Sequence, residues 1–235
     1  MQLERILQKH GFGTRKECRT LCWDGRVAVN GQPCDQPFAD VDSAGLVLTV
    51  DGVDWPYAEF ATLLLHKPAG YECSRRPLHH PSVLSLLPLP LRQRGVQPVG
   101  RLDEDTTGLL LITDDGQLNH LLSSARRKVP KVYLATTKHA VDREQMERLL
   151  GGVVLNDEPA PVAAAACEIV GARELRLTLT SGKYHQVKRM VAAAGNRVEA
   201  LHREAVGGLS LPDDLKPGEW RWLAAVDLEK LGLSV

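Results

Sequence analysis

Asp103 and Asp105 lie two residues apart in the stretch Gly100 to Gly116, which reads Gly-Arg-Leu-Asp-Glu-Asp-Thr-Thr-Gly-Leu-Leu-Leu-Ile-Thr-Asp-Asp-Gly. Two carboxylates this close can transfer a proton, stabilise a developing positive charge, or hold a divalent cation as an Asp-x-Asp pair. Beside Thr and Gly they can equally cap a turn and accept local backbone N–H groups. The apolar run Leu109 to Ile112, between Gly108 and Asp114-Asp115-Gly116, predicts a short core strand closed by a turn. Asp103 is thereby placed on a loop at the end of a rigid element, where one short side chain can be presented to a cleft. Asp105, Thr106 and Thr107 read as residues that shape that loop.

Other groups with chemical potential follow in chain order. His79 and His80 are adjacent and lack companion ligands, so they read as residues at the surface or in contact with a partner, and not as a metal site. Tyr133 lies in Lys131-Val-Tyr-Leu-Ala-Thr-Thr, a predicted strand in which a tyrosine ordinarily packs. Lys188 and Arg189 fall near the start of a helix predicted after the Gly182 turn, with Val187, Met190, Val191 and Ala194 on its apolar face. The five cysteines, Cys18, Cys22, Cys34, Cys73 and Cys167, are odd in number and scattered. They form neither a disulfide framework nor a metal knuckle, and free buried thiols are expected.

The elements that must position these residues divide into two groups. Residues 1–58 read as a small module: two short helices carrying Leu3, Ile6, Leu7, Cys18, Leu21 and Cys22, a strand through Val27 and Val29 ending at Asn30-Gly31, and a second strand at Leu46 to Val50. The turn-rich segment from Asp51 to Glu59 is expected to link it to residues 59–235. There, strands are expected at Thr62 to His66, Leu109 to Ile112, Lys131 to Thr137, Ala160 to Ala166 and Leu175 to Leu179, with helices at Leu118 to Leu122 and Asp142 to Leu150. Between them, Ser74 to Gly95 is rich in proline and arginine and is expected to be irregular, lining a cleft.

With 235 residues and 43% hydrophobic content the chain can bury substantial cores. No apolar run reaches the length of a membrane span, and the N-terminus carries charge where a signal peptide would be apolar, so a cytoplasmic protein is expected. The 29 basic and 29 acidic side chains cancel, yet residues 1–31 hold six basic against three acidic groups. Arg15, Lys16, Arg19 and Arg26 could therefore form a phosphate-facing patch within a neutral total.

Gly-Arg-Leu-Asp with Asp-Thr-Thr-Gly-Leu, Lys131-x-Tyr133, and Ser-Gly-Lys-Tyr-His-Gln-Val-Lys-Arg-Met (181–190) together resemble the signatures of the small-subunit (RsuA-like) family of bacterial ribosomal RNA pseudouridine synthases. The likeness runs over almost the whole chain, and residues 1–58 resemble the S4 RNA-binding domain. It implies an α+β protein in which the S4-like module is joined to a mainly antiparallel mixed-sheet catalytic domain. It also implies Asp103 as catalytic residue, Tyr133 in the active site and Lys188 in an ion pair with Asp103. Arg15, Lys16, Arg19, Arg26, Arg101, Lys131, Lys183 and Arg189 are the implied RNA contacts. The reaction is an isomerisation, so neither cofactor nor metal is implied.

Tyr184 and His185 stand where large-subunit relatives more often carry Asn and Arg. The implied substrate is accordingly 16S rRNA in an assembling small subunit, at the family's uridine 516 site, acted on by a monomer. Modification of 23S rRNA, a non-catalytic S4-type RNA-binding protein, and a metal-dependent hydrolase built on Asp103 and Asp105 remain as alternatives.

Overall fold

The computed structural model describes residues 1–232, and the chain forms two compact units, Met1–Ala61 with Leu87–Gln97, and Thr62–Leu86 with the chain from Pro98 onward. In the first unit, helices α1 (Leu3–Lys9) and α2 (Arg15–Trp23) precede a four-stranded antiparallel sheet of order β2-β1-β3-β4. Its strands are β1 (Val27–Val29), β2 (Gln32–Pro33), β3 (Val47–Val50) and β4 (Val53–Pro56). Thr14 starts α2 through a capping box, its hydroxyl accepting from the Glu17 N–H while the Glu17 carboxylate accepts from the Thr14 N–H. Leu3, Ile6, Leu7, Cys18, Cys22, Leu46 and Leu48 are buried in this unit.

Two sequence expectations change here. Asp51 and Gly52 do not begin a linker but form a hairpin turn, both with positive φ (52° and 78°), and β4 follows with Trp55 buried against solvent. The boundary expected after residue 58 lies after Ala61, and residues 87–97 return to the first unit. That segment carries α3 (Leu89–Arg94) and leads into the short β6 (Gln97–Pro98). Gly11 explains the return: a Cβ there would lie 2.0 Å from the Pro90 carbonyl oxygen, so only glycine allows this approach. Arg94 then donates to the carbonyls of Ala58 and Glu59.

The second unit is built on a sheet of order β13-β5-β7-β11-β8-β10-β9, with β12 paired to β11. The strands are β5 (Thr62–Lys67), β7 (Thr107–Thr113), β8 (Lys131–Thr137), β9 (Ala166–Gly171), β10 (Glu174–Leu179), β11 (Val198–Val206), β12 (Leu209–Ser210) and β13 (Trp220–Trp222). Along that path β7 and β11 run parallel and the other neighbours antiparallel, giving the mixed sheet of an α+β protein. From Gly108 to Thr113 every residue of β7 is buried, as a central strand covered on both faces requires.

Helices α5 (Arg143–Gly151) and α6 (Gln186–Ala193) cover one part of the sheet, sharing a core with Ala135, Leu175, Leu177, Leu179 and Leu201. Helices α4 (Gly116–Ser123) and α7 (Ala225–Lys230) pack with Leu64, Leu109, Leu111 and Val206. The strand expected at residues 160–166 reduces to one bridge between Val153 and Val162, with β9 starting at Ala166. Pro161 cannot donate to a ladder, and the alanines beside it bury too little surface to hold one. Among the described residues no helix is long and apolar enough to cross a membrane.

Candidate active site

The loop before β7 is tied down from several directions. Lys67, at the end of β5, is fully buried and donates to the carbonyls of Pro68 (3.0 Å), Glu104 (3.0 Å) and Thr106 (2.8 Å). Burial pushes its ammonium below the ordinary lysine range, against the pull of Cys73 and the nearby carboxylates. Three carbonyls converging on one Nζ fix the loop as a cap would fix a helix end. The Leu102 N–H points to Cys73 Sγ at 3.4 Å, and the Thr106 N–H closes back on the Asp103 carbonyl at 3.1 Å. Gly108 then brings β7 against β11 so closely that a Cβ would lie 2.3 Å from the Arg203 carbonyl oxygen.

Helix α6 supplies the partners of Asp103. The buried Gln186 accepts from the Lys183 N–H (2.9 Å) and exchanges hydrogen bonds with Ser181, holding the turn that precedes the helix. His185 caps α6 in a left-handed conformation, φ 44°. Its Nε2 lies 3.3 Å from Asp103 Oδ1, while Lys188 Nζ, almost one turn further on, lies 3.0 Å from Asp103 Oδ2. Lys188 also donates to both oxygens of Asp105, at 2.7 and 2.9 Å. Burial works against the Lys188 ammonium, but its bonds to Asp105 and Asp103 outweigh that and raise it above the usual range. Burial likewise works against ionised Asp105, and the Lys188 bond still holds that carboxyl below its ordinary value. The carboxylates of the possible metal pair are thus bridged by an ammonium group.

A cavity of about 390 Å³ opens beside Asp103, lined among others by Arg101, Tyr133, Lys131, Lys183, His185 and Arg203. Tyr133 on β8 faces Arg203 on β11 in the strand register, and Lys131 precedes Tyr133 by two residues on the same strand. Four lysine or arginine side chains line this space against one carboxylate, so its field is positive although the chain is neutral. A further cavity of about 410 Å³ that Asp103 also lines includes Glu72, Cys73, His79 and His80. Glu72 accepts the backbone N–H groups of Leu78, His79 and His80, which lower its carboxyl to about 2 and order part of the irregular stretch.

Asp103, Tyr133, Lys188, Arg101, Lys131 and Lys183 therefore converge on one place. Lys183 is paired with Glu158, and Arg189 turns away to Asp157 and the Tyr184 carbonyl, leaving Lys188 as the partner of Asp103. In the first unit Arg19 pairs with Glu4 and lies over Phe38, and Arg26 grips Asp51 with two bonds of 2.6 and 2.8 Å. Arg15 donates to Gln8, and Lys16 is exposed. The patch expected of all four is thus reduced, since carboxylates already take two of them. Sequence reasoning assigned no role to Arg203, Lys67 or the Asp103 contact of His185, and read Asp105 as a loop-shaping residue or half of a metal pair, not as a partner of Lys188. A buried arginine in a strand and a lysine closing an apolar strand were the available signals.

RNA pseudouridylate synthase is the family whose pattern matches residues 61–193, more than half of the chain and the whole Asp103–Lys188 constellation. The chain belongs to this family. The synthase is 36% identical to ribosomal small subunit pseudouridine synthase A of Vibrio parahaemolyticus, with 98% of this chain and 99% of the relative aligned. It is 44% identical to the Escherichia coli K12 protein of that name over 70% and 71% of the two chains. A crystal structure of a pseudouridylate synthase superposes with a TM-score of 0.70 at 31% identity, covering 98% of this synthase and 99% of the other. The synthase is an isomerase: its reaction breaks the N1–C1′ bond of a uridine and joins C5 to the same sugar carbon.

Proposed function

We propose that the protein converts one uridine of 16S rRNA to pseudouridine, with Asp103 as the group that acts on the sugar. The observation that carries this reading is the placement of Asp103, held by His185 and Lys188 at the wall of a positively lined cavity that also contains Tyr133. Breaking a glycosidic bond builds positive charge at C1′, which a fixed carboxylate can meet by bonding to it or by taking a sugar proton. Lys188 keeps Asp103 oriented. A uracil lifted from its stack packs on the Tyr133 ring, and the phenol can take part in moving the C5 proton at the end.

The choice of 16S rRNA rests on the names of the relatives from Vibrio and Escherichia, and uridine 516 is the finer target proposed with it. Residues 1–58 act as an S4-type RNA-binding module, with Arg15 and Lys16 as its free cations, and Arg101 and Lys131 continue the contact at the cavity. The enzyme works as a monomer on the assembling small subunit in the cytoplasm. It needs no metal or cofactor, because an isomerisation exchanges neither electrons nor groups with a second molecule.

The test is pseudouridine mapping by carbodiimide stops in cells with the gene intact, deleted, or restored as Asp103→Asn. One small-subunit site should vanish on deletion and stay absent with the Asn variant. Loss of a 23S site instead would move the target to the large subunit. An unchanged map would overturn the enzymatic reading in favour of RNA binding alone.

A further inference from the structure

Arg203, buried, and Lys131, half-buried, are an unusual pair to withdraw from water. Arg203 is 3% exposed, and among the described residues its Nε alone has a partner, donating to the Leu109 carbonyl at 2.7 Å. Lys131 donates to the Val129 carbonyl at 3.0 Å. Among the described residues neither is paired with a carboxylate, although both line the cavity that contains Asp103 and Tyr133. Burial, and then the charge of Arg203, push the Lys131 ammonium below its ordinary range. Two desolvated like charges contribute nothing to folding that an apolar pair would not, and such an arrangement is characteristic of a site awaiting an anion.

The anion is identified by where the pair sits. Arg101, which is exposed at the cavity, is placed to meet backbone phosphate, whereas Arg203 is opposite Tyr133 in the register and has almost no solvent access. A base packed on Tyr133 brings its own edge toward these two cations.

We propose that Lys131 and Arg203 form the site that takes up the negative charge of the uracil ring when its bond to the ribose breaks. This rests on the reading of Asp103 as the group facing the sugar. When the N1–C1′ bond breaks, its electron pair leaves with the base and spreads over N1, O2 and O4. C1′ is met by Asp103, either as an ester or after transfer of a C2′ proton to the carboxylate, which is later returned. The ring turns, the pair comes back from C5 to C1′, the C5 proton leaves and N1 takes up a proton. Atoms and electrons balance without a co-reactant. Cations aimed at charge that exists only during this sequence accelerate it without tightening ground-state binding.

The experiment uses the full-length enzyme with Lys131→Met, Lys131→Arg and Arg203→Lys, each checked for an unchanged thermal midpoint. RNA labelled as [5-³H]uridine is followed by tritium release in single turnover at saturating enzyme, alongside the Kd for RNA across a salt series. The expected result for Lys131→Met is a fall of about 10²-fold in the saturating rate, with Kd and its salt slope essentially unchanged. Lys131→Arg should restore most of the rate, because it restores the charge.

An unchanged saturating rate with weaker binding and a salt slope smaller by about one would make Lys131 a phosphate contact and overturn the proposal. An unaltered rate and affinity would overturn it equally. Should Arg203→Lys lower the thermal midpoint, Lys131→Met alone decides the matter. Asp103→Asn serves as the reference: if it is inactive while Lys131→Met is not impaired, only the anion site fails. If Asp103→Asn is fully active, the assignment of the site itself fails.

Discussion

Three glycines of one motif offer a way to separate steric from conformational constraint at the Asp103 loop. At Gly108 φ is 107°, and an added Cβ would lie 2.3, 2.6 and 2.9 Å from the backbone O, N and C of Arg203. Backbone cannot rotate aside as a long side chain can, so β7 and β11 would have to separate by about 1 Å to restore ordinary contact in a sheet whose strands lie about 4.8 Å apart. Strain at this φ costs about 1–3 kcal/mol, and overpacking a tight site a further 1–3 kcal/mol or so. Gly108→Ala should therefore destabilise by about 2–6 kcal/mol, a large share of the roughly 5–15 kcal/mol available to a folded domain.

Gly100 also has positive φ, 69°, but open space around it, so Gly100→Ala should cost only the conformational part, about 1–2 kcal/mol. Gly116 has open space and ordinary φ at the first position of α4, and Gly116→Ala should be neutral or stabilising by up to about 1 kcal/mol. Urea denaturation of the three variants measures the series directly. Because Arg203 would move with β11, Gly108→Ala should also slow turnover by about 10²-fold in whatever fraction stays folded. A Gly108→Ala variant no less stable than Gly100→Ala would refute the steric reasoning, and with it the claim that this approach sets the position of Arg203.

Other perturbations have equally definite outcomes. Lys188→Met removes the ammonium shared by Asp103 and Asp105 and should lower the single-turnover rate by about 10²–10³-fold, whereas Arg189→Met, which breaks the pair with Asp157 and a bond to the Tyr184 carbonyl but no contact of Asp103, should stay within a few-fold of wild type. The Glu72 carboxyl falls from 4.5 to about 2 in the folded protein, so its stabilisation of residues 72–80 is complete above pH 4.5 and is lost as pH drops toward 2. Amide exchange at His79 and His80 should accelerate over that window, and Glu72→Gln should remove the pH dependence. Combined Arg15→Gln and Lys16→Gln should reduce the salt slope of RNA binding by about one to two, whereas Arg26→Gln, already neutralised by Asp51, should change it little.

Local signals in the chain were read correctly where they act locally. The two short helices through Leu3, Ile6, Leu7, Cys18 and Cys22 form, Asn30-Gly31 turns a hairpin, and the run Leu109 to Ile112 becomes part of the buried β7. Each of these depends on neighbours within a few residues, so composition and spacing suffice. The Asp51-Gly52 hairpin had the same kind of signal, but the proline beyond it suggested a linker, and the strand was missed. Residues 160–166 erred in the other direction, since a strand was expected of an apolar run that has too little side-chain surface to bury and holds only the Val153–Val162 bridge.

That Asp103, Tyr133 and Lys188 belong together was legible in the sequence, because its motifs carry them in a recognisable order and the fold brings them to one candidate site. Which charges meet was decided only by the tertiary fold. Lys188 and Asp105 are 83 positions apart, and their contact exists because α6 packs on β8 and β10 while Lys67 holds the loop before β7. In the same unit Arg189 meets Asp157 and Arg203 is buried opposite Tyr133, while in the first unit its own fold ties Arg19 to Glu4 and Arg26 to Asp51. A sequence counts the charges on a chain, but pairing energies depend on distance and desolvation, and those are properties of the folded molecule alone.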